Sequence, residues 1–213
     1  MGFTETWTRF LELEQTLGPS PGVRAQWHQG RPRYAVWLCR LQSPALTDRI
    51  EAIAAQLGDA IHPIPPEDTH VTVFVSGFPA AHPAYNDDVS WEVLEQQRGL
   101  LQRHFKPTTL HVGRSCSFST AAFLEVTDPG GVLHSVRDAL CTAASELRFA
   151  PYQPHVTIGV YADTRPAPPI AQVLAQWRTQ APIPILVEAM ELVTFDATRQ
   201  GARLQTHWRV TGA

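Results

Sequence analysis

The sequence predicts a mixed helix and strand fold made by duplication, in which one unit, strand–helix–strand–helix–strand, occurs twice. Three observations carry this reading. From Tyr34 onward, runs rich in β-branched and aromatic residues alternate with stretches of helical apolar spacing. The triplet His-Val-Thr occurs at 70–72 and again at 155–157. The elements around the two triplets also follow one another in the same order at a shift of 85 or 86 residues, with Trp37-Leu38 falling on Phe123-Leu124 and Pro44 on Pro129.

Taken in order, Phe3–Leu17 has helical spacing, and the Pro- and Gly-rich stretch 18–33 reads as loop. Residues 1–32 therefore form an extension packed on a main body of residues 33–213. Tyr34–Leu41 is the first strand. Ser43 and Pro44 open a helix whose apolar face is Leu46, Ile50, Ile53, Ala54 and Leu57, and Gly58 stops it. His70–Phe78 is a strand, Ser90 caps a helix through Phe105, and a strand follows near Thr108–Val112. In the second half, Ala122–Thr127 is a strand and Pro129–Leu147 a helix. His155–Tyr161 is a strand, Pro168–Trp177 a helix and Ile185–Phe195 a strand. A turn at Gly201 leads into the closing strand Arg203–Val210. The lobes fall at roughly 34–113 and 121–196, plus the closing strand.

Composition narrows the function. At 213 residues, 44% hydrophobic and 17% charged, the chain reads as a soluble globular protein, long enough for one well-buried domain or two small intimate lobes. A net charge of −3 gives no general attraction to polyanions and favours short substrates over long RNA, while a terminal phosphate needs only local positive potential. Cys39, Cys116 and Cys141 form no C-x-x-C pair and read as reduced thiols. Neither a basic-then-apolar leader nor a membrane-length apolar run is present, so a cytoplasmic, soluble monomer is expected, with no membrane partner. His28, His62, His82, His104, His111, His134 and His207 lack ligand-like spacing, and no glycine-rich phosphate loop occurs; neither a metal nor a cofactor is expected.

The triplets carry the chemistry. Side chains at i and i+2 of a strand share a face, so each triplet presents an imidazole beside a hydroxyl. Two such strands related by a pseudo-dyad bring two imidazoles and two hydroxyls to one groove. A neutral imidazole can take a proton from a nucleophile and an imidazolium can give one to a leaving oxygen. Hydroxyls can hold non-bridging phosphate oxygens where charge builds up. A single H-x-T arises about once by chance in a chain of this composition; the weight lies in two triplets, each opening a strand, at matching points of a duplication.

These residues, Thr69-His70-Val71-Thr72-Val73 and Pro154-His155-Val156-Thr157-Ile158, resemble the paired motifs of the 2H phosphoesterase superfamily. That family includes RNA 2′,3′-cyclic phosphodiesterases, also called 2′-5′ RNA ligases of the LigT type. The resemblance spans about Tyr34 to Val210. It implies a bilobal, pseudo-two-fold α+β fold with antiparallel sheets lining a central groove and helices outside. It implies metal-independent hydrolysis of a 2′,3′-cyclic phosphate or 2′-5′ phosphodiester at an RNA end or nucleotide, with weak reversible ligation in some members. Carried over, His70 protonates the leaving 3′ oxygen, His155 activates water, and Thr72 and Thr157 bind phosphate. Bacterial members often carry a basic residue a few positions after the second motif, where this chain has Gly159-Val160-Tyr161. Same-face spacing adds Phe74, Ser76 and Tyr161 as substrate-binding candidates, and Tyr152 lies in the loop entering the second motif. A non-catalytic module binding nucleotides or RNA ends on the same fold is the alternative.

Overall fold

The computed structural model describes residues 2–147, 151–199 and 201–212. Two helices come first, α1 (Phe3–Leu11) and α2 (Pro21–His28). The first unit is β1 (Arg33–Arg40), α3 (Pro44–Leu57), the short β2 (Ile61–Pro63), β3 (His70–Pro79), the short β4 (Asp88–Val89), α4 (Trp91–His104) and β5 (Thr108–Ser117). The second is β6 (Ala121–Thr127), α5 (Val132–Cys141), β7 (His155–Tyr161), α6 (Ala167–Gln176), β8 (Ile183–Val187) and β9 (Ala189–Asp196), closed by β10 (Gln205–Thr211). Local chemistry sets several of these boundaries. Pro44 occupies the first turn of α3, and Gly58, at φ +57°, ends it. The Ser90 hydroxyl accepts from the Val93 amide and caps α4.

The strands form one sheet in the order β10-β9-β1-β3-β7-β6-β5-β8, with β2 added to β7 and β4 to β3. Each repeat lends its third strand to the other: β5 pairs with β6, and β9 pairs with β1. The spatial halves therefore cut across the sequence lobes. Residues 185–195 do not form the one strand expected. They split at Glu188 into β8 and β9, which stand on opposite sides of the sheet order. One residue can connect them only if the sheet curls, and the Gly212 amide donates to the Glu188 carbonyl across that junction.

One face of the curled sheet carries the main core under the helices, including Trp37, Cys39, Val71, Phe74, Leu124, Val156, Ile158 and Tyr161. The other face carries a smaller cluster of Val36, Leu38 and Val193, flanked by Tyr34, Val75, Phe195 and Leu204. The two repeats superpose at a shift of 85, which corrects the alignment of Trp37 with Phe123. Leu38 faces Thr72 and Phe123 faces Thr157, so Leu38 and Phe123 are equivalent.

Two other expectations change. Residues 21–28 form helix α2 rather than loop. Helix α5 ends at Cys141 instead of running to Leu147. The segment beyond it is drawn onto β3, where the Glu146 carboxylate accepts from the Val75 amide and the Leu147 amide donates to the Val75 carbonyl. The extension packs against both halves. Phe10 is fully buried, and the Thr16 and Leu17 amides donate to the Arg165 and Ser119 carbonyls. At the other end Trp27 packs on Tyr34 and Phe78, and Arg31 pairs with Asp87 and Asp88. Among the described residues no helix is long and apolar enough to cross a membrane.

Candidate active site

Strands β3 and β7 meet at the centre of the sheet through one antiparallel pair, Val71 and Val156. That register places His70 across from Thr157 and Thr72 across from His155. Both valines are fully buried on the helix side, while the two histidines and two threonines are half-buried on the opposite face. The four side chains thus form a square with like residues on the diagonals. Directly opposed Cβ atoms in such a pair lie about 5 Å apart and diagonal ones about 7–8 Å, a spacing that brackets a tetrahedral oxyanion.

Each imidazole is oriented by backbone two residues earlier. His70 Nδ1 lies 2.6 Å from the Asp68 carbonyl and His155 Nδ1 lies 2.7 Å from the Gln153 carbonyl. A carbonyl can only accept, so Nδ1 carries hydrogen and Nε2 is the nitrogen left for proton exchange in both rings.

The surroundings break the symmetry. Arg40 stands opposite His70 across β1–β3, and Glu125 stands opposite His155 across β6–β7. Burial lowers the pKa of His70 from the ordinary histidine value, and the Arg40 charge lowers it further, against the Asp68 carbonyl bond. Arg40 itself is held by Glu191 at 3.0 Å and Asp68 at 3.2 Å. Burial raises the Glu125 pKa while Arg178, at 3.2 Å, opposes that shift. His155 meets Phe118 edge-on at 5.2 Å and Phe123 at 5.1 Å, ring centre to ring centre.

Both strands change phase immediately after the threonine. The ladder register slips between Trp37 and Leu38 opposite Val73, and between Ala122 and Phe123 opposite Ile158. A bulge in each strand accounts for both slips. The extra residue's carbonyl leaves the ladder and is taken up elsewhere: Val73 O accepts from Arg137 at 2.7 Å, and Ile158 O accepts from the Ile64 amide at 2.9 Å.

The bulges overturn the same-face argument for three candidates. Phe74 is fully buried in the helix-side core. Ser76 is buried and donates to Gln97 Oε1 at 2.9 Å. Tyr161 is fully buried with its hydroxyl against Ser117. Strict alternation would keep them beside the histidines; the inserted residue turns them away, and Val75 takes the phase of the groove face. Tyr152 does reach the site, donating its hydroxyl to the Thr72 carbonyl at 3.2 Å under the Arg137 guanidinium. The structure therefore brings together His70, Thr72, His155, Thr157 and Tyr152. Sequence reasoning missed Arg40, Glu125 and Phe118, which reach the histidines through cross-strand register or a turn that nothing local encodes. Among the described residues no three His, Cys, Asp or Glu side chains cluster to hold a metal.

The fold has solved counterparts. E. coli LigT complexed with 3′-AMP superposes with a TM-score of 0.59 at 16% identity, covering 85% of this chain and 98% of that one. A Thermus thermophilus protein gives 0.60 at 14% identity, over 84% and 97%. A conserved protein of unknown function from Agrobacterium tumefaciens gives 0.53 at 14%, over 82% and 85%. No curated protein matches the sequence. The family model of the 2′-5′ RNA ligase superfamily matches residues 29–199, both triplets included. The half-barrel, the paired triplets at its centre and this match together show that the chain belongs to the 2′-5′ RNA ligase superfamily.

Proposed function

We propose that this protein is a phosphodiesterase that opens a 2′,3′-cyclic phosphate at a nucleotide or RNA end without a metal ion. The observation that carries the reading is the central square, in which each histidine faces the threonine of the other motif. A phosphate at its middle meets Nε2 of one imidazole on each side and a hydroxyl at each remaining corner. One imidazole takes a proton from water as the water oxygen bonds to phosphorus. The other gives its proton to the 3′ oxygen as the P–O3′ bond breaks, leaving a 2′-phosphate. The threonine hydroxyls donate to the non-bridging oxygens. Nucleotide complexes of E. coli LigT, with 3′-AMP and with NADP+, support a nucleotide as occupant.

The resemblance gives His70 the donating role. Its surroundings favour the reverse, because burial and Arg40 hold His70 neutral and so fit it to accept the proton from water. His155, with Glu125 opposite and two aromatic rings beside it, then supplies the leaving-group proton.

The test is hydrolysis of 2′,3′-cyclic AMP in EDTA. Wild type is expected to turn over, and His70→Ala and His155→Ala to lose about 10²–10⁴-fold in kcat with the fold retained by circular dichroism. Full activity in either variant refutes the site. Binding without turnover in the wild type would mark a binding module instead.

A further inference from the structure

Helix α1 lies before the family-matched residues 29–199, yet one of its faces is turned to the surroundings of His155. Phe3, Thr6, Trp7 and Phe10 follow the i, i+3, i+4, i+7 spacing of a helix stripe, and all four are buried or half-buried. Phe10 anchors the helix in the main core. Each of the other three meets a different neighbour of His155. The Phe3 ring centre is 6.3 Å from that of Phe123, which stands 5.1 Å from the His155 imidazole. Arg178 lies 4.3 Å over the Trp7 ring and pairs at 3.2 Å with Glu125, opposite His155 in the β6–β7 register. Thr6 reaches Gln153, whose carbonyl accepts from His155 Nδ1.

The Thr6 contact is the most direct. Thr6 is 5% exposed and Gln153 7%, so water does not compete for the bond between them. The Gln153 amide nitrogen donates to Thr6 Oγ1 at 2.8 Å, and the threonine hydrogen has acceptors in Gln153 Oε1 at 3.0 Å and the Gly2 carbonyl at 3.3 Å. Residues 151–154 form neither helix nor strand, so the place of the Gln153 carbonyl depends on what holds that residue. Under the shift of 85, Gln153 corresponds to Asp68 and Glu125 to Arg40. In the first repeat the clamp is internal: Asp68 closes a single tight turn, Pro66–Asp68, and Arg40 holds its carboxylate at 3.2 Å. In the second repeat the residue in Arg40's place is committed to Arg178, and a side chain from outside the duplicated unit holds Gln153.

We propose that Thr6 is a positioning residue for His155: through Gln153 it fixes the carbonyl that orients the imidazole, and α1 thereby completes the second half of the central square. The kinetic consequence rests on the proposed reaction; the orientation of the ring does not. Nε2 of His155 can pass its proton to a leaving oxygen only from one ring orientation, so loosening the ring costs rate and leaves phosphate binding largely intact.

The test uses the full chain. Thr6→Val removes the hydroxyl at nearly constant volume, and Gln153→Met removes the amide while Thr6 keeps the Gly2 carbonyl. With 2′,3′-cyclic AMP each is expected to lower kcat about tenfold with KM within about twofold, and Thr6→Ser to stay within about threefold of wild type. The Thr6→Val/Gln153→Met double variant should be no more than about threefold slower than the slower single, because the two side chains act as one unit. A kcat within twofold of wild type in either single variant, losses that multiply in the double, or a serine as slow as valine overturns the proposal. If Thr6→Val does not fold by circular dichroism, Gln153→Met and Thr6→Ser decide by the same limits. If wild type does not turn over, the reaction reading fails by itself, and ring ¹⁵N spectra judge the clamp, with the His155 signals identified by their loss in His155→Ala. Neutral His155 holds its hydrogen on Nδ1 in wild type; in Gln153→Met that share must fall at His155 and stay unchanged at His70. Unaltered His155 signals overturn the proposal.

Discussion

Replacing Arg137 by Met tests whether the bulge in β3 is held from outside the sheet. Beyond Val71, β3 and β7 part, since among the described residues the two strands pair at one position. Arg137 fills that gap. It donates to the Val73 carbonyl at 2.7 Å, pairs with Glu146 through both terminal nitrogens, and lies 3.7 Å over the Tyr152 ring. Its side chain is 13% exposed and that of Glu146 7%, so solvent screens this pair little. Breaking one partner out of a buried pair costs about 3–5 kcal/mol, and a buried carbonyl left without its donor about 1–3 kcal/mol. These overlap, and Glu146 keeps the Val75 amide. A net loss of about 3–4 kcal/mol follows, or roughly 10 °C in Tm for a chain of this size. Urea unfolding of R137M, E146L and the double variant measures it. The double variant should be more stable than the sum of the singles predicts, by at least about 1.5 kcal/mol, because it removes the stranded carboxylate as well. A loss below about 1 kcal/mol in R137M, or strict additivity, refutes the reasoning. Because Tyr152 reaches the Thr72 carbonyl, R137M should also raise KM more than the surface variant R9Q does.

Two further outcomes follow from the site. His70 has a folded pKa below its unfolded value of 6.5, so as pH falls through 6.5 the unfolded chain takes up a proton that the folded chain does not. Stability should therefore drop as pH falls below about 6.5 and level off once the folded pKa is passed; H70Q should flatten that slope in pH-dependent urea titrations, and an identical slope would argue against a buried neutral His70. Tyr161→Phe removes a hydroxyl bonded to Ser117 on the core side, so it should cost about 1 kcal/mol of stability and leave kcat/KM within twofold, whereas a tenfold loss of activity would put Tyr161 back in the groove.

Sequence by itself determined the duplication, the two His-Val-Thr triplets and their place at the head of equivalent strands. Those are local facts: strand propensity, the Ser90 cap, Pro44 in the first turn of its helix, and a repeated motif are all written within a few residues. The triplets also resembled a family whose membership the match over residues 29–199 then showed. What lay beyond Thr72 and Thr157 was misread because alternation was extended through a bulge. A bulge depends on which carbonyls find partners off the ladder, here Arg137 and Ile64, each distant in sequence. The same holds for the third strands: whether β5 or β9 pairs with β1 depends on how the whole sheet curls and closes its edges, and no window of sequence contains that. The groups that make the two histidines unlike, Arg40 on one side and Glu125 with Phe118 on the other, are set by cross-strand register and a distant turn. The triplets fix which groups can exchange protons; only the tertiary structure surrounds one with a cation and the other with a carboxylate and aromatic rings, because those neighbours come from strands and turns that meet only when the sheet is complete.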